Sequence, residues 1–200
     1  MTYRIGLLIG SLSAGSINRT LSKALVRLAP RHLEFEEIGI GGLPLYDYEL
    51  EPTMPEAVNR FKAAVKSSDG LLIVSPEYNR SIPGPLKNAI DWGSRPRTDN
   101  SFARKPTGII GASMGAIGTA VMQSSMRSVL SFLDAPQLNA PEGYIAFKPD
   151  VYGPDGEVRD PSTERFLQHY MDEFGAFVDR VLATGTPGHI GDASPVSAEG

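Results

Sequence analysis

Three short apolar runs, two passing directly into loops rich in glycine and serine and one into a loop stiffened by proline, most constrain what this chain can fold into. Tyr3 to Gly10 (YRIGLLIG), Gly70 to Ser75 (GLLIVS) and Thr107 to Ala112 (TGIIGA) show no polar alternation. A strand of that kind is buried on both faces, as happens in a parallel sheet covered by helices on either side. Helical patterns fall between the strands, as such a sheet requires. Ile17, Leu21, Ala24, Leu25 and Leu28 share one stripe of a helix over 17–29, with Ser16 placed to cap it. Thr53 and Glu56 have capping-box spacing before Ala57, Phe61, Ala64 and Val65. Pro85 to Trp92 reads as a short helix with proline in its first turn.

Leu33 and Phe35 alternate with charged neighbours, which places this strand near a sheet edge. Gly39 to Pro55 is a long connection rich in glycine and proline. Met122, Met126, Val129, Leu130 and Leu133 mark a fourth helix, and a fifth strand is expected near Gln137 to Ala140. A last helix opens at Asp160-Pro161 and carries Leu167, Tyr170, Phe174, Phe177, Val178 and Val181 on one face. Five strands alternating with five helices predict a doubly wound α/β domain with a parallel sheet in the order 2-1-3-4-5. Residues 1–183 read as that one domain. Residues 184–200 read as a flexible tail, with one Ile and one Val as its only large aliphatic residues.

Composition narrows the function classes. The 19 Lys and Arg against 23 Asp and Glu give a net charge of −4, with no basic cluster, which argues against nucleic acid or anionic membrane as partner. The absence of cysteine excludes disulfides, thiolate metal sites and cysteine nucleophiles, and it suits the cytoplasm. Three histidines far apart in sequence give no sign of a metal site. No apolar run is long enough to span a membrane, and the N-terminus does not read as a signal peptide.

In an open parallel sheet, ligands bind beyond the carboxyl ends of the strands near the point where strand order reverses. Three loops should converge there. The first, Gly10-Ser-Leu-Ser-Ala-Gly-Ser-Ile-Asn18, offers Ser11, Ser13, Ser16 and Asn18 as side-chain donors at a helix start, a setting for a phosphate monoester. It is neither GxGxxG nor a P-loop. The second, Ser75 to Trp92, combines Pro76, Pro83, Gly84 and Pro85 with Glu77, Tyr78 and Asn79, a stiff edge suited to a flat heterocycle. The third, Gly111 to Gly118, allows close backbone approach and places Ser113 to donate a hydrogen bond. Each loop alone is also open to a plainer reading, a tight or stiff βα turn with no ligand.

Together the loops resemble the NAD(P)H-dependent FMN reductase family, in its chromate and quinone reductase branch. SPEYNRSIPGPLKNAIDW (75–92) is similar to that family's signature, the first loop to its GSLRxGSxN, and ASMGAIGTA to its third loop. The resemblance covers about Tyr3 to Gly143. It implies a flavodoxin-like three-layer sandwich with FMN as cofactor and NADPH or NADH as co-substrate. It also implies a small-molecule acceptor such as a quinone, flavin, azo compound or chromate, served in ping-pong order. Ser11, Ser13, Ser16, Ile17 and Asn18 would surround the phosphate. Pro76, Glu77, Tyr78, Asn79 and Ser81 would lie around the ring, with Ser113, Met114 and Gly115 on its other flank. No protein group is expected to be catalytic, since the flavin carries the chemistry. Ser13 stands where the family often has Arg, which predicts weaker FMN binding. The family also implies a homodimer or homotetramer; the apolar, Met-rich helix 120–133 reads equally as a contact surface or as a helix buried within the monomer, and Arg127 and Glu142 occupy positions similar to family residues that meet across subunits. The alternatives are a non-enzymatic flavodoxin-like electron carrier and a flavin-binding module without turnover.

Overall fold

Two apolar layers, one on each face of a single sheet, account for strands that are apolar throughout. The computed structural model describes residues 1–184. Strands β1 (Tyr3–Ile9), β2 (Leu33–Glu37), β3 (Gly70–Val74), β4 (Thr107–Ser113) and β5 (Gly143–Ala146) pair in parallel in the order β2-β1-β3-β4-β5. Helices α1 (Ile17–Leu28) and α5 (Pro161–Ala183) cover one face. Helices α2 (Glu56–Ser67), α3 (Gly84–Gly93) and α4 (Ala120–Phe132) cover the other. Along β3 the side chains alternate between layers, Leu72 and Val74 meeting α1 and α5 while Leu71 and Ile73 meet the opposite side. All four are fully buried, so truncating any one to alanine should cost about 2–5 kcal/mol.

The order and the three central strands agree with the sequence reading, and two details differ. The fifth strand runs Gly143–Ala146, not 137–140. Gln137 makes only an isolated bridge to Thr107. Pro141, lacking an N–H, interrupts any ladder before Gly143. The capping box at Thr53 does not form, because Tyr48–Thr53 closes as a 3-10 turn led by Asp47, whose side chain accepts from the Glu49 N–H. Helix α2 then starts after Pro55. Of the two readings of helix 120–133, the buried one holds for Met122, Met126 and Leu130, which are all fully buried. Beyond α5, the tail expected at 184–200 lies outside the described residues from 185 onward.

Candidate functional site

The three expected loops meet above the carboxyl ends of β1, β3 and β4, and the floor beneath them is Ser75. A Cβ on Gly10 would lie 2.2 Å from the Ser75 hydroxyl oxygen, and one on Gly111 would lie 2.0 Å from the Ser75 carbonyl oxygen. Glycine at both positions is therefore a packing requirement, because it lets β1 and β4 close on the end of β3.

Asn18 locks the first loop to the third. Its side chain is wholly buried; its amide donates to the Ala112 carbonyl at 2.9 Å and its carbonyl accepts the Ala112 N–H at 2.8 Å. Expected as a side-chain donor to a ligand, Asn18 instead spends its amide on β4 and presents its backbone N–H. The hydroxyls of the first loop are differently placed. Ser16 stands at the N-cap position of α1, yet its side chain makes no capping bond. The Ser11 hydroxyl accepts the Ser13 N–H at 3.3 Å and lies 3.4 Å from the Tyr78 hydroxyl, joining the first loop to the second. No acidic residue lies in the first turn of α1, so the N–H groups of Ile17 and Asn18 keep the positive end of the helix open.

The second loop folds back as a tight hairpin. Tyr78 and Ser81 exchange backbone hydrogen bonds of 3.1 and 3.0 Å, and Asn79 and Arg80 between them have φ of 51° and 61°. Two positive φ values in succession make the primed turn that suits hairpins, which asparagine tolerates and arginine adopts at about 1–2 kcal/mol. Glu77, whose side chain is 8% exposed, accepts the N–H groups of Val121 and Met122 at 3.0 and 2.9 Å and the Arg80 guanidinium at 3.2 Å. Helix α4 has no capping side chain of its own, and Glu77 supplies one from the second loop. In the third loop the Ser113 hydroxyl donates to the Gly118 carbonyl at 2.8 Å and accepts the Gly115 N–H at 3.2 Å.

The result is a braced, open shelf. Leu12, Met114, Ile117 and Tyr78 are between 46% and 68% exposed around it, an apolar rim beside the open end of α1. Met114 and Tyr78 were expected there from sequence; Leu12 and Ile117 were not, although an apolar residue inside a polar glycine–serine loop was the available signal. The sequence-predicted residues of all three loops are thus brought together. A cavity of about 450 Å³ between β5 and the first turn of α5 includes none of them.

The family described as NADPH-dependent FMN reductase matches residues 3–150. The chain belongs to that family. It is 44% identical over 178 residues to a 2-hydroxy-1,4-benzoquinone reductase of Burkholderia sp, covering 89% of this chain and 97% of that one. It is 42% identical over 180 residues to a quinone reductase of Escherichia coli K12, covering 87% and 94%. Among solved structures it is similar to FerB, a flavoenzyme NAD(P)H:(acceptor) oxidoreductase from Paracoccus denitrificans. That match has a TM-score of 0.86 at 40% identity and covers 90% of this chain and 98% of FerB. These relatives are named as enzymes, which sets the electron-carrier and scaffold alternatives aside. Among the described residues, no helix is long and apolar enough to cross a membrane.

Proposed function

We propose that the protein is an FMN-dependent oxidoreductase that takes hydride from NADPH or NADH and passes the electrons to a small acceptor, with quinones first. One observation carries the cofactor assignment. The start of α1 lacks both an acidic residue and a capping bond and opens among Ser11, Ser13 and Ser16; α4 and α5 are capped by Glu77 and Asp160, and α3, also uncapped, opens on Pro83-Gly84-Pro85 without such hydroxyls. A phosphate monoester fits an uncapped helix start flanked by serines, and a flat ring fits the shelf beside it.

In this reading the hydroxyls of Ser11, Ser13 and Ser16, with the backbone N–H groups of Ile17 and Asn18, hold the FMN phosphate. Pro76, Glu77, Tyr78, Asn79 and Ser81 border the ring on one side, and Ser113, Met114 and Gly115 on the other. FMN, when bound, supplies the centre that accepts hydride and releases electrons. The protein's part is to orient it and to keep one face of the shelf open. Donor and acceptor use that face in turn, a ping-pong order that requires no protein nucleophile. Quinones, free flavins, azo compounds and chromate-like oxidants can all take electrons there, and the relatives named as quinone reductases favour the first. A cysteine-free chain using nicotinamide donors suits the cytoplasm. A homodimer or homotetramer would use the outer face of α4, where Phe132 is 73% exposed.

The test is an anaerobic visible spectrum of the FMN-loaded protein. Bleaching by NADPH or NADH, followed by recovery of the oxidised spectrum when a quinone is added, is the expected result. A bound flavin that neither nicotinamide bleaches would refute the proposal.

A further inference from the structure

A second cluster, on the outer side of α3, is built around a buried charge. Lys62 of α2 is 4% exposed. Its ammonium donates to the carbonyl oxygens of Gly93 at 3.4 Å, Asp99 at 2.7 Å and Arg95, and lies 3.5 Å from the Asp99 carboxylate. Burial pushes this ammonium below its usual pKa, with Asp99 acting in the opposite direction. Burying an ammonium is costly unless it is paired and hydrogen-bonded. Here the partners are the backbone of 93–99, the segment that presents Arg95 and Arg97.

The Arg95 guanidinium carbon lies 5.9 Å from the centroid of the Tyr46 ring. Tyr46 in turn packs edge-on to Trp92 at 5.1 Å and donates its phenol proton to Glu51 at 2.6 Å. Among the described residues, the buried Arg95 Nε finds no acceptor. Tyr46, Tyr48, Glu51, Arg95 and Arg97 line a cavity of about 410 Å³.

This cavity is joined to the flavin shelf by a strap of chain. A side chain at Gly41 would touch Leu12 of the first loop at 3.4 Å. Further on, the Pro44 carbonyl accepts from the Asn88 amide at 2.9 Å and the Trp92 indole at 2.8 Å, and the Tyr46 N–H donates to Asn88 at 2.8 Å. The strap therefore follows α3, whose ten residues rise about 15 Å from the second loop to the cavity. That is within the span of an extended dinucleotide.

We propose that this cavity takes the adenosine 2′-phosphate end of NADPH, with Arg95 and Arg97 on the phosphate and a tyrosine ring against the base. The proposal rests on the reading that a nicotinamide dinucleotide is the electron donor, and it deepens that reading into a preference for NADPH. Two guanidinium groups match a phosphate in charge and in donor geometry. A carboxylate is the group that selects a free ribose 2′-hydroxyl. Glu51 is the one carboxylate lining the cavity, and its Oε1 is already occupied by Tyr46. Asp99, on the same turn as Arg97, is paired with Lys66 at 2.5 Å. Tyr48, 74% exposed, is free to turn onto a purine face.

The experiment uses the FMN-loaded protein, with 2′,5′-ADP and 5′-ADP as calorimetric probes and NADPH and NADH as donors. Wild type should bind 2′,5′-ADP about tenfold or more tightly than 5′-ADP, as expected for one retained charge-assisted contact. The exposed Arg97→Gln, which leaves the packing of Tyr46 untouched, should remove most of that difference. It should also lower kcat/KM for NADPH about tenfold while NADH stays within about twofold. Arg95→Gln should do the same. Equal binding of the two probes to wild type, or an unchanged NADPH-to-NADH ratio in both variants, would overturn the proposal and leave the donor reading intact. Failure of both nicotinamides to reduce the flavin would overturn both readings.

Discussion

The starts of α1 and α4 stand on the same edge of the sheet, one strand apart, and are completed in opposite ways. At α4, Glu77 reaches across from the second loop and accepts the N–H groups of Val121 and Met122. At α1, Ser16 occupies the N-cap position without bonding inward, and no acidic residue follows in the first turn. Both helices present the same partial positive charge. One spends it on the protein's own carboxylate, and in doing so ties the second loop to the third. The other leaves it facing the shelf, where a ligand anion can use it. The contrast is between a helix start completed by the protein's own carboxylate and one left open, on N-caps of different backbone: Thr119 at φ −119°, ψ 32° and Ser16 at φ −63°, ψ 123°.

The largest effect should come from removing the floor that both helix starts share. Gly111→Ala places a methyl group 2.0 Å from the Ser75 carbonyl oxygen, a backbone atom that cannot move aside. A loss of at least about 3 kcal/mol in urea unfolding is expected, with FMN binding lost as well. Asn18→Ala should cost about 2–3 kcal/mol in the same assay, because the buried N–H and C=O of Ala112 both lose their partner.

Ser16→Asp converts the open helix start into a filled one, imitating α4. FMN affinity, followed by fluorescence titration, should fall roughly thirtyfold, about 2 kcal/mol, while the melting temperature holds or rises through the added cap. The reverse operation, Glu77→Ala, opens α4. It should cost about 1–2 kcal/mol of stability by denaturant titration, with a smaller loss of FMN affinity than Ser16→Asp produces. If Glu77→Ala weakened FMN more than Ser16→Asp did, the division of labour between the two helix starts would be the wrong way round. The smallest change is Ser13→Arg, which restores the residue common in the family. It should tighten FMN about tenfold by the same titration.

Legibility in the sequence followed the range of the interactions. The runs Tyr3–Gly10, Gly70–Ser75 and Thr107–Ala112 announce buried parallel strands because every residue in them carries the signal. The long α5 is marked at its start by Asp160-Pro161 and along its length by its apolar stripe. The fifth strand carries too little signal to place from sequence, being four residues long and lying beyond Pro141. The loops that make the site were visible as unusual composition, but how they brace each other was not. Asn18 meets Ala112 across 94 positions, and Glu77 meets Met122 across 45. No local pattern encodes a partner that distant. Asn18 therefore reads as a side-chain donor to a ligand, whereas its amide is a strut to β4, and nothing local to Glu77 tells that it also braces the start of α4.

The most direct test of the account compares FMN with riboflavin, which differ only in the phosphate, for binding to the flavin-free protein by calorimetry. Two charge-assisted hydrogen bonds at the start of α1 contribute about 3 kcal/mol, so FMN should bind roughly a hundredfold more tightly. That advantage should shrink in Ser16→Asp and persist in Glu77→Ala. Equal affinity for the two flavins would contradict the claim that the open end of α1 is where the cofactor is held.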